Sequence, residues 1–293
     1  MCSLIMLASS QASAQQVLSQ IIIVKSSDNN YFNQSVETLI KQVDRSTEFK
    51  VVMPQDLDAV VETGDEQQIF VALGQTAAEA VGRLDGGISA FNAYLTEEQS
   101  RNLNLENQVA VLLDQPLQRY LAFCRLMLAV DSVGIITEQT IVLDQGQSDL
   151  LRILDFSLNQ YQIDPRNKLL PVLRRLLMLN DALLMLPSQS VYNRDTLKGV
   201  LLAGYRNRKP VISYSPAHVK SGALASIYSS PVDIGRHLAT LINRQLQTPG
   251  QQTRGFEFAR YYSIRTNPRI AAALGIELPS ERELRSALDR LQR

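Results

Sequence analysis

The chain has 293 residues, of which 45% are apolar and 20% are charged, which is the mixture of a globular protein with a large core and not of a disordered chain. Lysine and arginine together number 29, as do aspartate and glutamate, so the net charge is zero and no overall field attracts nucleic acid or an anionic membrane. The two cysteines, Cys2 and Cys124, exclude a disulfide framework and a cysteine-based zinc site.

The N-terminal residues have the pattern of an export signal. Residues 4–8 are a short apolar run, and Ala12-Ser13-Ala14 is a small-x-small motif that is followed by two glutamines. We predict a signal peptide remnant at residues 1–14 and a periplasmic location, with a disordered or helical tail as the alternative. No other run reaches 18 apolar residues, so we do not expect the mature protein to span a membrane.

Short apolar runs alternate with stretches of helical periodicity in the first part of the chain. Strands are predicted at residues 21–24, 49–52, 69–73, 90–94 and 109–113, and helices at residues 32–43, 57–61 and 75–84. Buried strands that alternate with helices are typical of a parallel sheet covered on both faces.

The same alternation then starts again. Helices are predicted at residues 116–130, 149–158, 168–179, 195–204, 231–246, 268–274 and 280–291, and strands at residues 132–136, 182–186, 211–214 and 261–265. Two consecutive series of similar length predict an α/β fold of two Rossmann-like, doubly wound lobes. Ligands bind such sheets beside the carboxyl ends of the strands, so two facing lobes would line one cleft.

The residues give little support for an enzyme. The two histidines, His218 and His237, are accompanied by no G-x-S-x-G elbow, and there is no H-E-x-x-H or C-x-x-C motif and no phosphate-binding loop. We therefore predict no catalytic residue, no metal and no cofactor. An α/β enzyme that uses His218 with a nearby serine is kept as a less favoured alternative.

Five segments rich in small hydrogen-bonding residues follow predicted strands. They contain the predicted ligand-binding residues, which are Ser26 and Asp28, then Gly74, Gln75 and Thr76, then Thr137 and Glu138, then Ser188, Ser190 and Tyr192, and finally Tyr214 and Ser215. Hydroxyls, amides and the free N–H groups of helix N-termini can orient a small ligand without reacting with it. Each residue also has a plainer explanation, since Asp28 or Thr76 can simply cap a helix.

The second half of the chain resembles a known family. The resemblance is carried by residues 184–193 (LMLPSQSVYN), 199–206 (GVLLAGYR), 210–229 (PVISYSPAHVKSGALASIYS) and 267–276 (NPRIAAALGI), and more loosely by residues 72–78 and 115–119. These segments look like the substrate-binding proteins of ABC transporters of the type I periplasmic-binding class, in the group that includes tryptophan- and tyrosine-binding members.

The resemblance implies two lobes joined by a hinge of three crossovers, with a small-molecule ligand between them. It places residues 15–116 and 229–248 in the first lobe and residues 117–228 and 249–293 in the second. It also implies a monomer that delivers an amino acid or a similar small polar compound to a membrane permease. Ser188 stands where that family often has an acidic residue, which removes a contact for a ligand amine.

Two other binding roles remain open. The protein could be a sensor or an accessory binding protein without its own permease, for example a partner of an outer-membrane receptor, because the same fold supports such roles. A regulator related to sugar-responsive repressors is disfavoured, because the chain lacks an N-terminal helix-turn-helix and a basic patch.

Overall fold

The structure is a computed structural model that describes residues 20–43, 47–61, 68–84, 88–103, 105, 108–163, 169–188, 190–248 and 254–291. The predicted signal peptide, residues 1–14, lies outside these ranges. Within them, no helix combines the length and the apolar character needed to cross a bilayer.

Strands and helices alternate along most of the described chain. The strands are β1 (Gln20–Lys25), β2 (Glu48–Val52), β3 (Gln68–Leu73), β4 (Ser89–Leu95), β5 (Val109–Leu112), β6 (Ser132–Thr137), β7 (Ser157–Gln162), β8 (Ala182–Leu184), β9 (Val211–Ser213), β10 (Ala225–Tyr228), β11 (Gly255–Phe258) and β12 (Ser263–Thr266). The helices are α1 (Asn30–Gln42), α2 (Gln75–Val81), α3 (Glu97–Asn102), α4 (Leu117–Met127), α5 (Gln145–Ile153), α6 (Leu169–Leu179), α7 (Leu197–Arg206), α8 (Pro216–Ser221), α9 (Pro231–Gln247), α10 (Pro268–Leu274) and α11 (Glu281–Leu291), and a short 3₁₀ helix covers Pro54–Ala59.

The first sheet is parallel throughout, with the strand order β11-β5-β4-β3-β1-β2. Successive residues of β1 are buried on opposite faces: Ile21 and Ile23 pack with α1 and α9, whereas Ile22 and Val24 pack with α2. Because β2 and β3 lie on opposite sides of β1, the sheet has its topological switch point between β1 and β3.

The second sheet has the order β12-β10-β9-β8-β6-β7 and is parallel except for the pair of β10 with β12. Val133 and Ile135 of β6 face the core beneath α4 and α11, and Ile136 faces the core beneath α6 and α7. The switch point lies between β6 and β8. The predicted α/β architecture of two Rossmann-like, doubly wound lobes is confirmed.

The chain crosses between the sheets three times, after β5, after β10 and after β11. The second crossing leads into α9, which packs on α1 so closely that a Cβ on Gly235 would lie 2.5 Å from the carbonyl oxygen of Ser35. The assignment of residues 249–293 to the second lobe is wrong for β11, because β11 pairs in parallel with β5 in the first sheet.

Several predicted elements differ from the structure. The helix predicted at residues 149–158 is α5, which ends at Ile153, and the chain then forms the edge strand β7. An edge strand needs little burial, and the sequence of β7, SLNQYQ, accordingly contains no apolar run. The strand was therefore not predicted. The helix predicted at residues 57–61 is the 3₁₀ helix Pro54–Ala59. The segments α3, α8, β10 and β11 were not predicted as elements.

Candidate ligand-binding cleft

Two of the predicted residues meet at the switch point of the first sheet. Ser26 follows β1, and its Oγ accepts a hydrogen bond from the Ala77 N–H (2.9 Å). This bond satisfies a free N–H group in the first turn of α2, although Ser26 belongs to a neighbouring strand. Gly74 follows β3 with φ +93°, and a Cβ there would lie 2.7 Å from Ser26 Oγ. The sequence therefore needs glycine at position 74, both for the backbone conformation and for the space that Ser26 occupies.

Asp28 is engaged in local ionic contacts. Its carboxylate accepts hydrogen bonds from Lys25 Nζ (2.8 Å) and Asn33 Nδ2 (3.0 Å), and those bonds hold its pKa below the usual value. Its side chain is nevertheless 74% exposed. The cap of α1 is Asn29, whose side chain accepts from the Phe32 N–H, so the suggestion that Asp28 caps this helix is wrong.

Gln75 and Thr76 are exposed in the first turn of α2. Gln75 donates to Glu79 Oε1 (2.9 Å) and accepts from Gln99 Nε2 (3.0 Å), so it links α2 to α3. Thr76 does not cap α2, because Gly74 holds the N-cap position.

In the second sheet, Thr137 ends β6 beside the switch point. Its Oγ1 is buried and has no hydrogen-bond partner among the described residues. Glu138 is the next residue and is exposed. A buried hydroxyl without a partner is costly, but this oxygen has almost no exposed surface, so in this structure it belongs to the interior and not to the ligand-facing edge.

The loop after β8 forms a serine turn over a buried tyrosine. Ser188 Oγ lies 2.8 Å from Ser190 Oγ and accepts from the Val191 N–H. Tyr192 is only 4% exposed, and burial raises its pKa well above the ordinary value. Its hydroxyl makes no hydrogen bond of good geometry with the described residues, although the Ile136 backbone interacts with it weakly. Tyr192 therefore belongs to the core, and the two serines lie nearer the surface.

Tyr214 and Ser215 follow β9, where they precede α8. Ser215 caps α8 by accepting from the Ala217 N–H, and the half-buried Tyr214 ring packs edge-on to His218 with centroids 4.9 Å apart. Ser213 Oγ lies 2.7 Å from His218 Nδ1 and also accepts from the Ser215 N–H at 3.4 Å. Which of these two atoms donates depends on the tautomer of His218, because a hydroxyl oxygen that accepts from Ser215 can still accept a second hydrogen bond.

His218 should make the free energy of unfolding depend on pH. Burial lowers the pKa of His218 below its ordinary value of 6.5. As the pH falls through that value, the unfolded chain gains a proton that the folded chain resists. The contribution to stability is therefore fully present above the ordinary value and is lost in acid. In urea unfolding at about pH 7.5 and about pH 5.5, His218→Gln should lose less stability on acidification than the wild type. An equal loss in both proteins would contradict this prediction.

Three tyrosines near the same edges were not among the predicted residues. Tyr94 sits at a β-bulge with φ 64°, its ring packs on Phe32, and burial raises its pKa to about 12. Tyr31 in α1 is 60% exposed. Burial raises the pKa of Tyr228, which ends β10. Tyr31 follows the predicted strand at residues 21–24 and Tyr94 ends the predicted strand at residues 90–94, which was the available signal. No signal pointed to Tyr228, because β10 was not predicted.

Asp114 is a further residue that the sequence reading missed. It follows β5, and its Oδ2 accepts a hydrogen bond from the Glu97 N–H (2.7 Å) at the start of α3. Burial raises its pKa. The signal was its place directly after a buried strand, the same rule that selected Ser26 and Thr137.

Side chains bind the three crossovers to one another. Gln115 Nε2 donates to Ser229 Oγ (2.9 Å), and Ser229 Oγ donates to the Tyr261 carbonyl (2.9 Å). Arg119 Nη1 donates to Gln115 Oε1 (2.6 Å) and to the Ala259 carbonyl (2.9 Å). These bonds bring the carboxyl ends of β5 and β10 together, so the carboxyl edges of both sheets border a common region beside the hinge.

The described residues bring together no group of three or more His, Cys, Asp or Glu side chains that could hold a metal ion. Cys124 is buried in the core of the second lobe, and burial raises its thiol pKa.

Comparison with solved structures gives the fold. A ligand-free, open substrate-binding protein with adhesive properties from Clostridium difficile matches with a TM-score of 0.65 and 15% identity, over 90% of this chain and 97% of that one. This protein has the type I periplasmic-binding fold.

Other solved structures of the fold are also similar. An ABC domain from Streptococcus pneumonia in complex with L-Trp matches with a TM-score of 0.52 and 14% identity, over 92% of this chain and 98% of that one. A periplasmic ribose ABC transporter protein from Conexibacter woesei matches with a TM-score of 0.51 and 13% identity, over 91% and 97%. No family model and no curated protein matches the sequence. The resemblance stated from the sequence is thus confirmed at the level of the type I fold.

Proposed function

We propose that this protein is an exported solute-binding protein that captures a small polar molecule between its two lobes and delivers it to an ABC-type permease. The observation that carries the proposal is the pair of switch points, β1/β3 and β6/β8, at the carboxyl edges of two sheets linked by three crossovers. Ligands of doubly wound sheets bind at such points. The similar solved structures are named as a substrate-binding protein and as ABC transport proteins. These names support a role in solute binding for transport.

The groups at these edges suit a ligand that forms hydrogen bonds. Ser26 Oγ accepts from Ala77 and still has its own hydrogen to donate, and Gln75 and the serine pair of the loop after β8 add an amide and two hydroxyls. Lys25 is already bound to Asp28 and Asn33. Its ammonium group is therefore already bound within the protein. The site favours a polar ligand that is recognised through hydroxyls and amides.

The enzyme alternative rests on the pair of Ser213 and His218. Ser213 has no exposed surface, so a substrate carbonyl has no approach to its hydroxyl. A nucleophile needs both a base and access to the reacting atom. The bond between these two residues therefore fits a structural role, which is to orient the imidazole ring.

The proposed function is tested by a ligand screen followed by solution scattering. A compound that binds only the folded protein raises its melting temperature, so amino acids, nucleosides, sugars and small peptides are screened by thermal shift. We expect at least one compound to stabilise the protein and to reduce its radius of gyration, because a ligand that contacts both lobes favours a closed form. A stabilising ligand that leaves the scattering curve unchanged would contradict closure of the lobes.

The genes beside this one separate transport from an accessory role. A neighbouring permease and ATPase would support delivery to an ABC transporter. An outer-membrane receptor gene without them would support the accessory binding protein instead.

A further inference from the structure

The outer surface of helices α6 and α7 in the second lobe exposes large apolar side chains. Leu170 and Met178 of α6 have exposed fractions of 54% and 78%, and Leu202 and Tyr205 of α7 have 42% and 51%. The two helices pack against each other and cover the same face of the second sheet. We call these four residues, with the exposed basic residues of the same two helices, the α6–α7 surface.

All the charges of the α6–α7 surface are positive. Arg174, Arg175, Lys198 and Arg206 are exposed, and neither helix contains an aspartate or a glutamate. None of the four forms an ion pair within the part of the chain that the structure describes. In a chain with 29 basic and 29 acidic residues, this is a local segregation of charge that the zero net charge conceals.

The fold itself does not require these outward residues to be apolar. The opposite sides of the helices make the core contacts: Leu176 packs on Gly134, where a Cβ would lie 2.4 Å from Leu176 Cγ, and Val200 and Leu201 are buried. Helix α11, on the other side of the same sheet, buries Leu284 and Leu288 and mixes glutamates with arginines on its exposed positions. That mixture is the usual composition of a solvated helix surface.

We propose that the α6–α7 surface binds the headgroup region of a bilayer that contains anionic phospholipid. Arginine and lysine are attracted to anionic headgroups, and leucine, methionine and tyrosine side chains beside them enter the boundary between headgroups and acyl chains. This surface covers a face of the second sheet, whereas the candidate cleft lies at its carboxyl edge. Membrane contact therefore leaves the cleft accessible, and the proposal does not depend on the identity of the ligand.

The test is flotation of the full chain with vesicles of phosphatidylcholine alone and of phosphatidylcholine mixed with phosphatidylglycerol. We expect binding only to the anionic vesicles at low salt and release at high salt. R174E/R175E should lower the partition coefficient about tenfold or more, since each cation contributes several-fold. M178Q/L202Q should lower it also, without removing charge. The matched control is R282E/R290E, which makes the same change of charge on exposed residues of α11 and should bind like the wild type.

Three results would overturn the proposal. One is equal binding to both kinds of vesicle or to neither, and another is an equal loss of binding in the α11 control. The third is a vesicle-independent dimer, seen by sedimentation, that both α6–α7 variants dissociate, because a second copy of the chain would then cover this surface. All the substituted residues are exposed, so we expect every variant to fold. Unchanged melting temperatures will verify this.

Discussion

Gly74→Ala is expected to lower the free energy of unfolding by about 3 kcal/mol, through backbone strain and overpacking together. Gly74 has φ +93° and ψ 170°, a conformation that side chains disfavour, and its added Cβ would lie 2.7 Å from Ser26 Oγ and 3.1 Å from Phe32 Cζ. Displacing Ser26 would also break its hydrogen bond to Ala77 and move the edge that the proposed ligand contacts. Urea unfolding measures the first effect, and the thermal shift with the screened ligand measures the second.

Gly275→Ala is the matched control for this substitution. Gly275 also has a positive φ, +69°, but no atom lies within 4 Å of its added Cβ. It should therefore lose only about 1 kcal/mol, from the left-handed backbone alone, and it should bind ligand normally. If both variants lose the same stability and both bind ligand, the crowding at Ser26 has no effect and the prediction fails.

Arg119→Met is expected to destabilise the protein by about 3 kcal/mol, because a buried guanidinium that satisfies several acceptors is replaced by a group that satisfies none. Arg119 is 7% exposed, joins Gln115 of the first crossover to the Ala259 carbonyl of the third, and stacks on the Tyr262 ring at 4.7 Å. Its loss should weaken the connection between the crossovers, which would then depend on the bonds from Gln115 to Ser229 and from Ser229 to Tyr261. Ligand affinity is therefore expected to change although Arg119 is not among the proposed ligand contacts.

Arg125→Met provides the comparison. Arg125 also donates to two backbone carbonyls, those of Leu154 and Val130, but both acceptors lie in the second lobe. This variant should lose stability without a change in ligand affinity. A change of affinity of the same size in both variants would show that general destabilisation, and not the coupling of the crossovers, is responsible.

Most of the buried strands were predictable from the sequence, with β10 as the exception, and two of the four edge strands, β7 and β11, were not predicted. β1, with Ile21 to Val24 fully buried, and β3 are continuous apolar runs, which only a strand covered on both faces requires. β7 and β11 lie at sheet edges and carry mainly polar or partly exposed residues. Their backbone hydrogen bonds leave no periodic pattern in the sequence, so β7 was partly predicted as helix and β11 was not predicted.

The sequence indicates which positions follow the strands, but not which side chains those positions contact. The rule that the carboxyl ends of parallel strands share an edge correctly placed Ser26 beside Gly74, and both at a switch point. It could not foresee that Tyr192 turns into the core, or that Tyr94 reaches this edge through a bulge in β4. Side-chain direction depends on neighbours that are distant in sequence.

The sequence by itself determined the alternation of strands and helices, the two doubly wound series and the positions that follow each buried strand, because these depend on burial periodicity within short segments. Only the tertiary structure decided that β11 returns to the first sheet, that Gln115, Arg119 and Ser229 bind the crossovers together, and that α6 and α7 combine their cations on one surface. Those features arise from contacts between segments more than a hundred residues apart or from the packing of neighbouring helices, and no local pattern encodes them.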